Sequence, residues 1–384
     1  MRETSERRPR VLFVVASAVV GGAETQTAHL LRHLRRVEPV LMIRAATRDH
    51  FQPLGLPTYV ADDFGCGEIL HRSPGNVWKY LRAIRAVARA ERPRVLVGIM
   101  ETASFHVTFA NELFRLGAAA VSTIRGPMST FFAFCRRRPS PGERFLLWYV
   151  FRRSRLVVVP SRGVRDDLVE HLGARDDRVI VILNGVDVDR IRALARAPRP
   201  VALPKNCPWL VTACRLSPEK DFATLLDAFR LLRATRRATL IIVGDGPMRA
   251  EILTRVEHHG LDGDVVLTGF LPNPFPVLAA ADVVLSTSRF EGFGNTLAEA
   301  LALGRPVVAT DAPVGSRELL EGGRCGRLVA VGDAGAVARA CLDILDEPAA
   351  GARLSEAALE RAETLSITRT AAAWDEMLAA LAGR

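Results

Sequence analysis

The sequence predicts an α/β protein made of two open, mostly parallel sheets, and three observations carry that prediction. At 384 residues the chain is too long for one compact core and suits two domains of roughly 150 to 200 residues. Short apolar runs alternate along it with longer amphipathic ones, the periodicity of repeated βα units feeding parallel sheets. Between Ile191 and Pro208 the alternation gives way to a stretch with Pro198, Pro200, Pro204 and Pro208, the composition of an interdomain connector.

In the first half, strands are expected at Val11 to Ala16, Pro39 to Ile43, Arg94 to Ile99, Ala119 to Ile124, Leu156 to Pro160 and Val179 to Leu183. Helices are expected near Thr25 to Arg36, Val77 to Glu91 and Gly163 to Leu172. After the connector a second series runs through Trp209 to Cys214, Leu240 to Val243, Val265 to Gly269, Val283 to Ser286 and Pro306 to Thr310. The segment Ser366 to Leu381, with Trp374, has the pattern of an amphipathic packing helix. The expected division is 1–196, 197–365 and a C-terminal helix at 366–384, with two Rossmann-like domains facing a central cleft. In open α/β sheets ligands bind beyond the carboxyl ends of the strands, so the loops after strands are the places to look for chemistry.

Composition narrows the class. Apolar residues make up 49% and charged residues 24%, which allows a sizeable interior and argues against wholesale disorder. The net charge of +10 favours anionic partners such as nucleotides or phospholipid headgroups. The arginines are dispersed without a nucleic-acid-binding motif, so no nucleic-acid partner is expected. Only Lys79, Lys205 and Lys220 are lysines among 52 basic residues, which makes a lysine inside a motif informative. The six cysteines lack metal-ligand or disulfide spacing, and the polar segment Met1 to Arg10 has no leader pattern, so a cytoplasmic protein is expected.

The most informative segment is Arg289-Phe-Glu-Gly-Phe-Gly-Asn-Thr-Leu-Ala-Glu-Ala-Leu, which follows the strand Val283 to Ser286 and opens a helix over about Asn295 to Leu303. Gly292, Phe293 and Gly294 let backbone approach an anion, and Asn295, Thr296 and Leu297 offer free N–H groups at the positive end of a helix dipole. Glu299 sits about 6 Å along the axis from Asn295, and Glu291 precedes the helix. Two carboxylates flanking a diphosphate each accept hydroxyl hydrogen bonds from a sugar; the spacing alone also fits two solvated carboxylates around a helix cap, since such matches recur by accident. The loop after Trp209 to Cys214 adds Arg215 and Lys220, two cations that offset a pyrophosphate where no metal does so.

The Glu291 to Glu299 spacing resembles the E-x7-E signature of the retaining glycosyltransferases of family 4, which have the GT-B fold; the resemblance implies that the C-terminal helix 366–384 crosses back to pack on the first domain. The resemblance implies that Glu291 contacts the donor sugar hydroxyls and Glu299 the ribose hydroxyls of the nucleotide. Arg215 and Lys220 then bind the donor diphosphate and stabilise its departure, so Glu291, Arg215 and Lys220 are the catalytic candidates. Val266 to Leu271 resembles the strand end that receives the base, which marks Phe270 and Leu271. Gly21 and Gly22 resemble the family's GG turn across the cleft from the donor phosphates. The expected activity is transfer of a sugar from a nucleotide diphosphate sugar, UDP by default, to a hydroxyl of a glycan or glycolipid acceptor, with retention. No cofactor or metal is expected, and Asp262-Gly-Asp264 is read as a turn. A nucleotide-sugar epimerase of the same fold is the alternative.

One position departs from the family. Where many relatives carry a His after the strand Ala119 to Ile124, this chain has Arg125, which suits contact with the donor phosphate or an acidic acceptor and equally suits a loop-ordering salt bridge. His106 is expected as a satisfied core or surface residue. Phe131 to Arg138 and Arg144 to Arg153 mix aromatics with clustered arginines. They fit either an anionic membrane surface at the inner face or a core helix with solvated arginines.

Overall fold

The computed structural model describes residues 8–67, 74–199 and 207–383, and the chain folds into two units. Met1 to Arg7 of the N-terminal segment, and Pro200, Pro204 and Lys205 of the connector, lie outside the described residues.

The first unit comprises Met1–Gly185 and Ile367–Arg384. Its strands are β1 (Arg10–Val15), β2 (Glu38–Ile43), β3 (Thr58–Val60), β4 (Val95–Ile99), β5 (Ala119–Thr123), β6 (Leu156–Val159) and β7 (Val179–Val181). They pair in parallel in the order β3-β2-β1-β4-β5-β6-β7, so the strand order reverses between β1 and β4. The period of two along β1 sends Val11, Phe13 and Val15 to one face and Leu12 and Val14 to the other, and all are buried. The first set packs with Leu30 and Leu31 of the helix Gly22–His33 and with Trp374 and Leu378 of the helix Ile367–Ala382. The second set packs with Leu81 and Ile84 of the helix Pro74–Glu91 and with Val107 of the helix Met100–Leu113. Each such apolar side chain contributes about 1.5–3 kcal/mol on burial.

The second unit is Val186–Ser366. Its strands are β8 (Trp209–Ala213), β9 (Thr239–Val243), β10 (Val265–Gly269), β11 (Val283–Ser286), β12 (Val307–Thr310) and β13 (Arg327–Val329). They form a parallel sheet in the order β10-β9-β8-β11-β12-β13, reversing between β8 and β11.

Three differences from the sequence expectation have physical causes. The division falls at Gly185 and Val186 rather than near 196, because the helix Val188–Ala195 packs within the second unit, where Arg192 Nε donates to Ala302 O at 3.1 Å. The edge strands β3 and β13 are additional to the expected set because each is three residues long and partly exposed, too short for an apolar run. The helix Met100–Leu113 is also additional, because it starts directly at the end of β4, with Met100 at φ +69° in place of a Gly or Pro boundary. As expected, Asp262 to Asp264 form a turn before β10. The expected helix Gly163 to Leu172 is a short α-helix, Arg162–Asp166, continued by a π-type turn at Asp167–His171.

Candidate functional site

In the second unit the loops after β8 and β11 are sewn together. Asp221, at φ +51°, caps the helix Phe222–Arg233 by accepting from the Thr224 N–H at 3.3 Å and its hydroxyl at 2.9 Å. Thr287, after β11, donates its hydroxyl to Lys220 O at 2.9 Å and Asp221 O at 3.1 Å. Arg289 N–H donates to Glu219 O at 2.8 Å, and its guanidinium meets Asp221 at 3.0 Å. These contacts aim the Lys220 ammonium at Glu291, with Nζ to Oε1 at 2.6 Å and both side chains mostly buried. Ser288 donates its hydroxyl to the same Glu291 oxygen at 2.7 Å. Burial pulls the Lys220 pKa down, but the charge and hydrogen bond of Glu291, with the charge of Glu219, outweigh it, so the ammonium is held above its ordinary value.

The loop carrying Arg215 is fixed from the other side by the turn after β9. Leu216 N–H donates to Asp245 O at 3.0 Å, and Met248 N–H to Leu216 O at 2.9 Å. Gly244 sits at φ +134°, and a Cβ there would lie 1.9 Å from Cys214 O, so only glycine allows this approach. Arg215 itself is exposed and makes no ion pair among the described residues.

The helix Asn295–Ala302 begins after Gly294 at φ +94° and ψ +57°. Phe293 and Leu297 are buried in the interior, which leaves their backbone for any contact with an anion. The Thr296 hydroxyl turns back to donate to Ala213 O at 2.6 Å, tying this helix start to the end of β8. Glu299, on the same short helix, has its pKa pushed up to about 7 by burial. At the end of β10, Phe270 is 73% exposed while Leu271 is buried. The expected residues Arg215, Lys220, Glu291, Gly292 to Leu297 and Glu299 thus all belong to the loops and helix start at the carboxyl ends of β8 and β11. Ser288, Thr287, Asp221 and Arg289, which hold them, carry no sequence signal of that role.

In the first unit, Gly21 is extended and exposed, and its N–H donates to Glu24 Oε2 at 2.9 Å as the helix from Gly22 begins. Arg125, after β5, donates from Nη1 to Asn184 Oδ1 at 3.1 Å. Burial pulls its pKa down to about 10 against the opposing charges of Glu24 and Glu101. The salt bridge offered as one reading of Arg125 is not formed among the described residues; the amide of Asn184 occupies that guanidinium edge. His106 is a core residue, 3% exposed and stacked on Tyr80 with centroids 5.2 Å apart, and its Nδ1 has no partner among the described residues. Its expectation as satisfied therefore holds for packing and not for hydrogen bonding.

Two parallel α/β units, the second with a cation–carboxylate pair beside a glycine-led helix start, define a protein of the GT-B class. The chain belongs to the family 4 glycosyltransferases: residues 20–190 match the model "Glycosyltransferase Family 4" and residues 207–347 the model "Glycosyl transferases group 1". It is 30% identical over 189 residues, 49% of this chain and 50% of the relative, to the N-acetylgalactosamine-N,N'-diacetylbacillosaminyl-diphospho-undecaprenol 4-alpha-N-acetylgalactosaminyltransferase of Campylobacter jejuni. It is 31% identical over 239 residues, 58% of each, to the 2-deoxystreptamine glucosyltransferase of Streptomyces kanamyceticus. The chain spans about half the length of the curated relatives it matches. Its fold is similar to that of Anabaena HepE in complex with UDP-glucose, with a TM-score of 0.80 and 22% identity over 97% of this chain and 100% of that one.

Proposed function

We propose that the chain is a retaining glycosyltransferase that moves a sugar from a UDP-sugar to a hydroxyl acceptor without a metal ion. The observation that carries this reading is the Lys220–Glu291 ion pair of 2.6 Å beside the Gly294 helix start, one group suited to a diphosphate and the other to sugar hydroxyls. In the proposed reaction Arg215, Lys220 and the N–H groups of Asn295 to Leu297 hold the diphosphate. Glu291 accepts from the donor sugar hydroxyls and Glu299 from the ribose. The bond from the anomeric carbon to the phosphate oxygen breaks, and the acceptor oxygen bonds to that carbon from the same face. The acceptor proton passes to a phosphate oxygen and UDP leaves. The fixed cations and amides stabilise charge as it builds on the leaving group.

The choice of UDP draws on HepE, which binds UDP-glucose, and a lipid-linked or cell-surface glycan acceptor draws on the Campylobacter enzyme, named for a diphospho-undecaprenol acceptor. No helix among the described residues is long and apolar enough to cross a membrane. The helix Pro141–Arg153 nevertheless exposes Phe145 at 52% and Trp148 at 55%, packed together at 5.9 Å and flanked by the exposed Arg144 and Arg152. That face suits an anionic membrane surface on the cytoplasmic side. Exchanging Phe145 and Trp148 for Ser should abolish pelleting with phosphatidylglycerol vesicles at physiological salt; equal pelleting of the variant would refute the docking role.

The activity is tested by titrating a panel of UDP- and GDP-sugars calorimetrically and following UDP release with and without hydroxyl acceptors, in the presence of EDTA. Acceptor-dependent UDP release with an α-linked product from an α-linked donor, unaffected by the chelator, is expected. Glu291→Ala should lose transfer while still binding UDP. A donor converted to its epimer without any acceptor would establish the epimerase instead.

A further inference from the structure

The strand order of the first unit reverses between β1 and β4, and the first turns of the helices after β1 and β4, with the loop after β5, bring three charged side chains to that switch point: Glu24, Glu101 and Arg125. Glu24 is 3% exposed; its Oε2 takes the Gly21 N–H, while Oε1 is buried without a partner among the described residues. Arg125 places Nη1 on Asn184, while its Nε is buried without a partner among the described residues. Both carboxylates act electrostatically on the guanidinium, yet neither is within ion-pair distance of it among the described residues. Burial pushes the Glu101 pKa up, against backbone N–H groups including that of Arg125 and against the Arg125 charge. His50, which also faces Glu24, has its pKa lowered by burial, with Arg32 beyond it.

Opposite charges buried close together but left unjoined are costly, and a ligand that donates hydrogen bonds between them relieves that cost. The two carboxylates and one guanidinium sum to zero or one negative charge, depending on the proton of Glu101, although the whole chain carries +10. An anionic group gains nothing there, whereas a ring bearing hydroxyl or ammonium groups satisfies Glu24 Oε1 and Glu101 together. Resting on the transferase reading above, we infer that this switch point holds the acceptor through Glu24, Glu101 and Arg125 and selects a hydrogen-bond-donating, neutral or amino-bearing ring over a phosphorylated one. Arg125 then acts as the organiser of two carboxylates, not as a receiver for an acidic acceptor.

The test is ligand-observed NMR titration of the full chain, saturated with UDP at physiological salt, with glucosamine, methyl α-D-glucopyranoside and glucose 6-phosphate. Glucosamine should bind about tenfold more tightly than glucose 6-phosphate, with the neutral glucoside between them. Glu101→Gln and Glu24→Gln should each narrow that range to about threefold and leave UDP affinity unchanged. The glutamine at position 24 keeps an oxygen for the Gly21 N–H; should that variant not fold, the Glu101 variant decides. Glucose 6-phosphate binding as tightly as glucosamine, or an unchanged order in the variants, would overturn the inference. Failure of all nucleotide sugars to turn over, with this order intact, would count against the transferase reading and not against the charge selection.

Discussion

At the scale of single residues, the site is governed by what burial does to charge. Lys220 and Glu291 neutralise each other at 2.6 Å, so a bound diphosphate and sugar would take over contacts that each already makes. Glu299 has no such partner among the described residues, and burial pushes its pKa up to about 7 from the ordinary 4.5. A carboxyl with a raised folded-state pKa contributes stability that is fully present below about pH 4.5 and is lost as pH rises through about 7. Glu299→Gln should therefore flatten this part of the stability profile and exceed the wild type in melting temperature above pH 7; parallel melting-temperature profiles for the two proteins between pH 4 and 8 would disprove it. The sequence singled out Arg215, Lys220, Glu291 and Glu299 as candidates because they cluster in two short segments after strands, and the structure places those segments at the carboxyl ends of β8 and β11. Ser288 was not singled out, since a lone serine gains meaning only when the fold brings its hydroxyl to Glu291. The same holds for Glu24 and Glu101, whose relation to Arg125 is created by strand order.

At the scale of elements, the buried strands were legible because parallel strands covered on both faces read as continuous apolar runs. The predicted runs Val265 to Gly269 and Val283 to Ser286 coincide with β10 and β11. The helix Met100–Leu113 was illegible because nothing punctuates its junction with β4; the turn is made by Met100 in a conformation that sequence does not announce. The turn after β9 shows how one element positions another. Gly244→Ala would drive a methyl into Cys214 O, one residue before Arg215. The variant should lose on the order of 3 kcal/mol of stability. It should also bind UDP at least about tenfold more weakly, because the Arg215 loop must shift. Gly260→Ala is the control: its φ is +65° but no atom lies within 4 Å of the added Cβ, so about 1 kcal/mol and no change in UDP binding are expected. Urea unfolding with UDP calorimetry checks both, and equal behaviour of the two variants would remove the role given to Gly244.

At the scale of the whole molecule, the chain leaves the first unit after Gly185 and re-enters it at Ile367, so residues from both ends of the sequence build one core. The C-terminal helix is held there by more than apolar packing. Thr370 donates its hydroxyl to Leu183 O at 3.0 Å, beside the point of departure. Asp375, 4% exposed, accepts the Arg35 N–H at 2.7 Å and the Arg36 N–H at 3.0 Å just past the end of the helix Gly22–His33. Trp374 beside it is 2% exposed in the core shared with β1 and β2. An amphipathic pattern revealed this helix in sequence, but the pairing of residue 375 with residues 35 and 36 had no sequence signal. Asp375→Ala would leave two backbone N–H groups without their acceptors, a loss of about 3 kcal/mol, whereas Asp375→Asn retains one acceptor and should lose about half of that. Because a two-unit protein need not unfold in one step, hydrogen exchange is the appropriate readout. The Ala variant should lose protection in the helix Ile367–Ala382 and in β1 and β2 while β8 to β12 keep theirs; unchanged protection in the first unit, or an equal loss in both units, would show that Asp375 does not tie the C-terminal helix to the N-terminal sheet.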